Sequence, residues 1–531
     1  MSEFNFNPDF YKTKGDISMA ITSDASHQQN LIQKLSLAVV GIGLLLMLVA
    51  AFGAADANPT PFLLASMTCL TLGGVVFSIQ QYKGRPAGIK NNGVMFGQMT
   101  SKGASAWIFG IIITGLYVLL YWYPEYLGLG KDGAGNSGLV RMFDPLSMFL
   151  KGKPASEWFL YGTLYTVAIL VMGFKFILKY RHNKYQVVRT ISVMFFQLGF
   201  AFLLPELLQS LNYPYYDFKN MWPLNYYFFD DWNIKGFLEH GGMGLFMLLF
   251  GLAMVFIISP VLTYFYGKRW YCSWVCGCGG LAETAGDSYR HLSDKSLKAW
   301  KVERWMIHAV LVFVTVMTIA VLYSFFHQSP DGYFVTKEIA IGIIVAILLG
   351  LAVFTWVNKE TARELDKTTK SIITGVLVSI AGLTLYAFIS GSSNVFFIDS
   401  YKLRSWYGFF IGAAFSGVVG VGFYPLMGSR VWCRFGCPMA AILGLQQRFF
   451  SRFRITTHSG QCISCGNCST YCEMGIDVRA YAQKGQNIVR SSCVGCGICA
   501  AVCPRGVLKL ENGPKEERKV IHIRRDDVGF L

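Results

Sequence analysis

The chain has 531 residues, of which 53% are hydrophobic and only 15% are charged. Soluble domains carry about 25% charged residues, so this composition excludes an ordinary water-soluble enzyme and predicts many apolar membrane spans. The net charge of +16 fits basic residues held on the cytoplasmic side near anionic membrane lipid, and their scatter among predicted helix ends argues against nucleic-acid binding.

The first 240 residues divide into a polar segment and a predicted membrane region. Residues 1–32 lack the apolar core of a cleavable signal peptide, so we expect a cytoplasmic N-terminal segment. Residues 33–240 form an N-terminal membrane region of about five helices, and residues 241–450 form a membrane core of about five more. Each apolar run is long enough to cross a bilayer, which takes ~20 residues. The approximate centres of the ten runs are Leu44, Leu70, Ile113, Ile169, Phe196, Phe250, Val314, Ile347, Val378 and Val418.

The connections between these spans differ in their content of lysine and arginine. The fourth connection holds Lys179, Arg181, Lys184 and Arg189, whereas the seventh holds only Lys337. Because short cytoplasmic loops carry the excess of positive charge, the even-numbered connections are assigned to the cytoplasm. Residues 128–157 disagree mildly, since four basic residues fall in an outer connection. We therefore expect a multi-pass protein of the bacterial inner membrane with both termini cytoplasmic.

The outer connection at residues 209–240 is unusually aromatic. Residues 213–232 read Y-P-Y-Y-D-F-K-N-M-W-P-L-N-Y-Y-F-F-D-D-W, here named the aromatic loop. Tyrosine and tryptophan gather at membrane surfaces, so an aromatic belt is one interpretation. A docking surface for an outer partner or a quinone is the other.

A cysteine motif is repeated at the ends of the sixth and tenth spans. Residues 267–276 read G-K-R-W-Y-C-S-W-V-C and residues 428–438 read G-S-R-V-W-C-R-F-G-C-P. Four spans lie between the copies, which places both on the same face of the membrane. Spacing of four residues puts each cysteine pair on one side of a helical turn. Two such pairs would together offer four thiolates, from Cys272, Cys276, Cys433 and Cys437.

The chemistry of these C-x3-C cysteines is open on sequence grounds. They are candidates for a third iron–sulfur cluster or mononuclear iron, for a redox-active or copper-handling thiol site, or for structural roles. Soft thiolates suit iron–sulfur centres and Cu(I) equally. The first copy has Gly277 where the second has proline, and Cys278 adds a third thiol that competes with Cys276 as a ligand. Arg269 and Arg430, one in each copy, either stabilise a reduced centre or anchor the chain at the membrane surface.

Residues 451–512 contain the strongest motif of the chain. Two C-x2-C-x2-C-x3-C runs follow one another, the spacing of bacterial ferredoxins with two 4Fe–4S clusters, in which the fourth cysteine of each run ligates the other cluster. This predicts a small α+β ferredoxin-like domain, followed by a charged tail at residues 513–531. Glu473 replaces the proline expected after the first run, and a carboxylate there should lower the potential of the neighbouring cluster. The predicted ligands are Cys462, Cys465, Cys468 and Cys503 for one cluster, and Cys493, Cys496, Cys499 and Cys472 for the other.

The repeated motif followed by a tandem ferredoxin resembles the membrane-bound polyferredoxins (NapH-type) associated with periplasmic nitrate reductase, with nitrous oxide reductase maturation and with haem–copper oxidase assembly. The resemblance covers roughly residues 241–510 and leaves out the first five spans. It implies electron transfer between a cytoplasmic or quinone donor and a membrane or periplasmic acceptor. A soluble ferredoxin or similar donor and a respiratory partner subunit are the expected partners.

Two functions of different classes follow from these motifs. The first is an electron-transfer oxidoreductase subunit that uses two 4Fe–4S clusters and a possible third centre. The second is an assembly or maturation factor whose thiols and clusters reduce or deliver a metal such as copper. Tight copper binding with intact clusters would favour the second, and rapid oxidation of the clusters by quinone would favour the first.

Overall fold

The computed structural model describes residues 29–84, 87–88, 99–131, 134–328, 335–358 and 365–513. Within these ranges nine helices are long and apolar enough to cross a membrane. They coincide with the first nine predicted spans, which confirms a multi-span helical membrane protein. Most of the predicted N-terminal segment and of the charged tail lie outside the described residues. The nine helices are Leu31–Ala51, Pro59–Tyr82, Ala104–Trp122, Glu157–Lys179, Lys184–Ser210, Gly241–Tyr266, Leu297–Gln328, Lys337–Val357 and Lys367–Ile389.

The tenth predicted span forms a less regular element and is not among the nine. An α-helix at Ser400–Tyr407 continues as a π-helix at Gly408–Val419, and the chain turns before a short helix at Tyr424–Met427. A Cβ atom added at Gly408 or at Gly412 would lie about 3 Å from the ring of Tyr226. The glycines of this element therefore make room for a side chain of the aromatic loop.

The basic connection between the third and fourth spans contains a helix at Gly138–Lys151. Three of the four basic residues in this connection are paired with carboxylates in the structure. This pairing explains why a loop rich in lysine and arginine carries little free positive charge. The pairs are Lys131–Glu125 at 3.3 Å, Arg141–Asp144 at 2.9 Å and Lys151–Glu206 at 2.9 Å.

The aromatic loop folds into the helical domain rather than lying only on its surface. Tyr216, Met221 and Phe228 are buried, and the hydroxyl of Tyr407 donates a hydrogen bond to the carbonyl of Pro223 at 3.4 Å. Neither the belt nor the docking interpretation anticipated this burial. The loop is followed by a helix at Asp231–Glu239, which leads into the sixth span.

Short helices surround the two cysteine segments at the ends of the sixth and tenth spans. They redirect the chain after each span and bring it back to the same face, where the ferredoxin-like domain packs. Their bounds are Arg269–Cys272, Gly277–Thr284 and the 3-10 helix Ala285–Leu292 in the first copy, and Val431–Phe435 and Pro438–Phe449 in the second.

The C-terminal region is a small ferredoxin-like domain with one two-stranded antiparallel sheet. Strand Arg454–Thr457 pairs with strand Leu508–Glu511, so the two ends of the domain meet. Three short helices lie between the strands, at Asn467–Thr470, Val478–Gln483 and Ile498–Ala501. Ile455 and Leu508 belong to the same buried core as Cys272, Cys433 and Val314, so one core continues from the ferredoxin-like domain into the membrane helices.

Candidate iron–sulfur sites

The two C-x3-C copies follow the same backbone path. Gly267 has φ +67° and ψ −179°, and Gly428 has φ +95° and ψ 172°, a conformation open almost only to glycine. A short helix follows in each copy and carries the first cysteine. The second cysteine then caps the next helix, Cys276 before Gly277–Thr284 and Cys437 before Pro438–Phe449. The sequence repeat is therefore a structural repeat.

The structure brings the C-x3-C cysteines together in one group, here named the membrane thiol site (Cys272, Cys276, Cys278, Cys433 and Cys437), in which Cys272, Cys433 and Cys437 are buried, Cys276 is half-buried and Cys278 is exposed. Cys272, Cys433 and Cys437 belong to one core cluster, and Cys276 packs against it. The sulfur of Cys437 accepts a hydrogen bond from the amide of Ala440 at 3.4 Å. Helix N-termini carry partial positive charge, so the two capping cysteines occupy positions that favour a thiolate.

The pKa values within this site are spread widely. Burial raises the pKa of Cys272 to about 12 and that of Cys437 well above its usual value. A hydrogen bond with Cys278 lowers the pKa of Cys276 to about 6 against the effect of burial. Buried thiols bind metal as thiolates, so metal binding releases their protons. The grouped thiols of Cys272, Cys276, Cys433 and Cys437 fit an iron–sulfur centre or Cu(I), and the exposed Cys278 adjoins this set through its hydrogen bond with Cys276.

The eight ferredoxin cysteines line two separate cavities. They are here named the distal cavity and the proximal cavity. Each is lined by three cysteines of one run and the fourth cysteine of the other run, the grouping that the spacing predicts. That these sets ligate clusters stays a prediction. The distal cavity is lined by Cys462, Cys465, Cys468 and Cys503, and the proximal cavity by Cys472, Cys493, Cys496 and Cys499.

The loop that carries the first cysteines of the second run is docked on the rest of the protein. Side chains from outside the ferredoxin-like domain donate hydrogen bonds to four successive backbone carbonyls of this loop. The proximal cavity consequently lies at the interface with the helical domain. The bonds run from Gln447 Nε2 to Cys493 at 2.8 Å, Ser273 Oγ to Val494 at 2.9 Å, Tyr185 hydroxyl to Gly495 at 3.0 Å and Gln186 Nε2 to Cys496 at 2.9 Å.

A buried network of charges lies between the proximal cavity and the membrane thiol site. Glu473 lines the proximal cavity and is paired with Arg290 at 2.6 Å and with Arg430 at 3.0 Å. Burial raises the pKa of Glu473, but the two arginines outweigh it and hold the pKa below its usual value. The carboxylate expected to lower the potential of the neighbouring cluster is thus offset by two guanidinium groups. The other pairs are Arg430–Glu283, Arg189–Glu283, Arg290–Asp287 and Lys179–Asp287.

The equivalent arginines of the two copies have different surroundings. Arg430 is 1% exposed, donates to the carbonyl of Cys272 at 3.1 Å and lies 3.5 Å from the sulfur of Cys433. Arg269 is half-buried, and its guanidinium lies over the ring of Phe453 at 4.7 Å. Arg430 therefore contacts the membrane thiol site directly, while Arg269 packs against the ferredoxin-like domain.

Some residues of the site were not found from the sequence. Lys219, in the aromatic loop, reaches the first cysteine segment, where the hydroxyl of Tyr271 donates to its carbonyl at 3.0 Å. Glu283 follows the first segment and forms ion pairs within the buried network. In the sequence, Lys219 and Glu283 stand out only as charged residues inside apolar stretches. Glu283, Glu473 and Cys496 come close enough to hold a metal ion, but arginines already pair with both carboxylates.

Comparison with known families supports iron–sulfur binding in both parts of the chain. Residues 461–508 match the family described as a 4Fe-4S dicluster domain. Residues 247–298 and 408–456 each match the family described as a 4Fe-4S binding domain, and each stretch contains one C-x3-C segment. Among curated proteins and solved structures, none matches the chain. The matches and the nine apolar helices define a multi-pass membrane iron–sulfur protein of the electron-transfer class.

Proposed function

We propose that this protein conducts electrons from a soluble donor to an acceptor in or across the membrane. The path would run from a distal 4Fe–4S cluster to a proximal one and then to a third centre at the membrane thiol site. The observation that carries the proposal is the position of Arg430, which pairs with Glu473 of the proximal cavity and contacts the sulfur of Cys433. One side chain thus connects two candidate redox sites.

The residues around these sites support one-electron transfer without bond making or breaking. Bound 4Fe–4S clusters supply reversible one-electron chemistry, whose potential depends on burial, hydrogen bonds and nearby charge. Hydrogen bonds from Ser273 and Gln447 hold the proximal loop in place, so the distance to the membrane thiol site is fixed. The guanidinium of Arg430 lies beside the sulfur of Cys433, where a bound centre would gain negative charge on reduction.

The donor, the acceptor and the orientation belong to this proposal. The distal cavity is lined in part by the exposed residues Ile463, Arg479 and Arg505, which suits electron exchange with a soluble ferredoxin or a similar protein. A quinone or a respiratory partner subunit in the membrane is the proposed acceptor. The basic even-numbered connections support a bacterial inner-membrane protein with its ferredoxin-like domain in the cytoplasm, where thiols remain reduced.

The test is the amount of iron and acid-labile sulfide per chain in anaerobically purified protein, with EPR of the reduced form. We expect about nine to twelve irons, falling to about eight in the Cys272→Ser and Cys433→Ser variants. Cys69→Ser, a change in a half-buried thiol of the second span, should keep the wild-type count. About eight irons in the wild type would overturn the third centre. Tight copper binding by that protein would then favour the assembly factor.

A further inference from the structure

A lysine from the aromatic loop reaches the membrane thiol site at Gly277, the residue between Cys276 and Cys278. Lys219 is only 8% exposed, and its ammonium donates a hydrogen bond to Gln197 Oε1 at 2.9 Å. Gln197 is in turn held by Thr166, to whose hydroxyl it donates at 3.1 Å. The carbonyl of Lys219 is fixed by Tyr271, the residue next to Cys272. The ammonium and the backbone carbonyl of Lys219 are therefore both held in place, by Gln197 and Tyr271.

The first C-x3-C copy has a glycine, Gly277, where the second copy has a proline, and this difference makes room for Lys219. A Cβ atom at Gly277 would lie 2.6 Å from Lys219 Nζ and 2.7 Å from Gln197 Oε1. The second copy has Pro438 at this position and starts its helix there. A side chain of any size at Gly277 would displace the ammonium. The missing side chain thus makes room for a charge beside Cys276 and Cys278.

We propose that Lys219, seated against Gly277, is a positioning residue that stabilises the reduced form of the centre at the membrane thiol site. This inference rests on the proposed function, because it requires that centre. Reduction adds one electron to the centre and forms or breaks no bond. A fixed cation in a poorly hydrated interior lowers the energy of the added negative charge. It therefore raises the reduction potential, and its removal lowers that potential.

The other charges near the site do not replace this lysine. Arg430 is already paired with Glu283 and Glu473. Asp217 accepts the backbone N–H of Lys219 at 3.1 Å, and burial raises the pKa of this carboxyl although the charge of Lys219 acts in the opposite direction. Among the described residues, no carboxylate forms a salt bridge with Lys219. Its charge is thus available to the thiol site.

The test is a redox titration of the full-length protein followed by EPR, comparing the wild type with Lys219→Met. We expect the reduction equilibrium of the membrane centre to shift at least tenfold toward the oxidised form, ~59 mV for one electron. The potentials of the two ferredoxin clusters should not change. Lys235→Met is the matched control, because Lys235 is exposed and pairs with Asp231 one turn earlier on the same helix. An unchanged membrane potential in Lys219→Met would overturn the proposal.

A second variant decides the question if Lys219→Met fails to assemble the membrane centre. Gly277→Ala keeps the lysine and displaces its ammonium together with the amide of Gln197, so a lowered potential of the membrane centre supports the proposal. A wild-type potential in Gly277→Ala overturns it. A wild type with about eight irons and no third EPR signal overturns the proposed function itself, and the two failures are thereby distinguished.

Discussion

Arg430 Nε lies 3.0 Å from Glu473 Oε1, and this buried contact joins the second C-x3-C segment to the wall of the proximal cavity. Arg290 completes the arrangement, since it pairs with the other oxygen of Glu473 at 2.6 Å. The ferredoxin-like domain is thus attached by charge as well as by apolar packing. A buried carboxylate that is paired with two arginines is expected to affect both the stability of the protein and the reduction potential of the proximal cluster.

Replacing Glu473 by glutamine should destabilise the protein and raise the potential of the proximal cluster. Removal of one partner from a buried pair costs about 3–5 kcal/mol, because the remaining charge stays buried without compensation. Thermal unfolding in detergent and a redox titration would measure the two effects. Glu511→Gln is the control, since Glu511 is 40% exposed in its pair with Arg454 and should contribute less than ~1 kcal/mol. Equal destabilisation by both changes would contradict the prediction.

The ion pairs of Asp287 with Lys179 and with Arg290 predict that the folded protein loses stability in acid. Burial raises the pKa of Asp287, but the two cations outweigh it and hold the pKa below its usual value. A lowered native pKa contributes stability above the unfolded value of about 3.9, and this stability is lost as the pH falls through the native pKa. Asp287→Asn should therefore unfold at a lower temperature than the wild type near neutral pH.

The difference between these two proteins should shrink as the pH falls from about 4, the unfolded pKa, through the lowered native pKa of Asp287, because the folded wild-type carboxyl then takes up a proton. Thermal midpoints measured over a series of pH values would show whether the two curves converge. A difference that stays constant down to the lowest pH would mean that the charge of Asp287 does not stabilise the fold.

Much of the fold and of the candidate site could be predicted from the sequence, because local spacing encodes it. The grouping of Cys503 with the first run follows from the ferredoxin spacing alone, and the nine apolar spans follow from composition. The position of Lys219 beside Gly277 could not be predicted, since it depends on how a distant loop packs among helices. The pairing of Glu473 with Arg430 likewise joins residues that only the tertiary structure brings together.

Gly267 allows a test of how the proximal loop is held. A Cβ atom there would lie 2.6 Å from Gln447 Oε1 and 2.8 Å from Phe453 Cβ. Gln447 accepts the N–H of Lys268 through that oxygen, at 2.9 Å, and donates to the carbonyl of Cys493. Gly267→Ala should therefore displace Gln447 and leave buried polar groups without partners, at about 1–3 kcal/mol each. Lower thermal stability and faster proteolysis between the domains are the expected results.

The matched control for this change is Gly241→Ala. Gly241 also has a positive φ, +61°, but a Cβ atom there would meet nothing within 4 Å. Both changes introduce the backbone strain of alanine at positive φ, about 1–2 kcal/mol. The difference between the two variants reports the contacts of the new methyl group with Gln447 and Phe453. Equal stabilities would show that Gln447 does not hold the loop.

The mouth of the distal cavity predicts the charge of the soluble donor. Arg479 and Arg505 line this cavity and are exposed, and the exposed Ile463 lies between two of its cysteines. No acidic residue lines the cavity in the described part of the chain. A basic rim around an apolar contact favours an acidic electron-transfer protein, because long-range attraction speeds encounter at low ionic strength.

Neutralising the rim should slow electron transfer from an acidic soluble ferredoxin. We expect the Arg479→Gln and Arg505→Gln double variant to be reduced about tenfold more slowly at low salt, with the difference disappearing near 1 M salt, where the Debye length is about 3 Å. Stopped-flow absorbance of the clusters would measure the rates. Reduction by dithionite should stay at the wild-type rate, which shows that the distal cluster itself is intact.

Lys484→Gln is the control for general charge, because Lys484 is exposed on the same domain but does not line the cavity. This variant should keep nearly the wild-type rate with the acidic ferredoxin. If it slows the reaction as much as the double variant, the attraction comes from the overall charge of the domain. If neither variant slows the reaction, the donor docks elsewhere, and the distal cavity is not the point of electron entry.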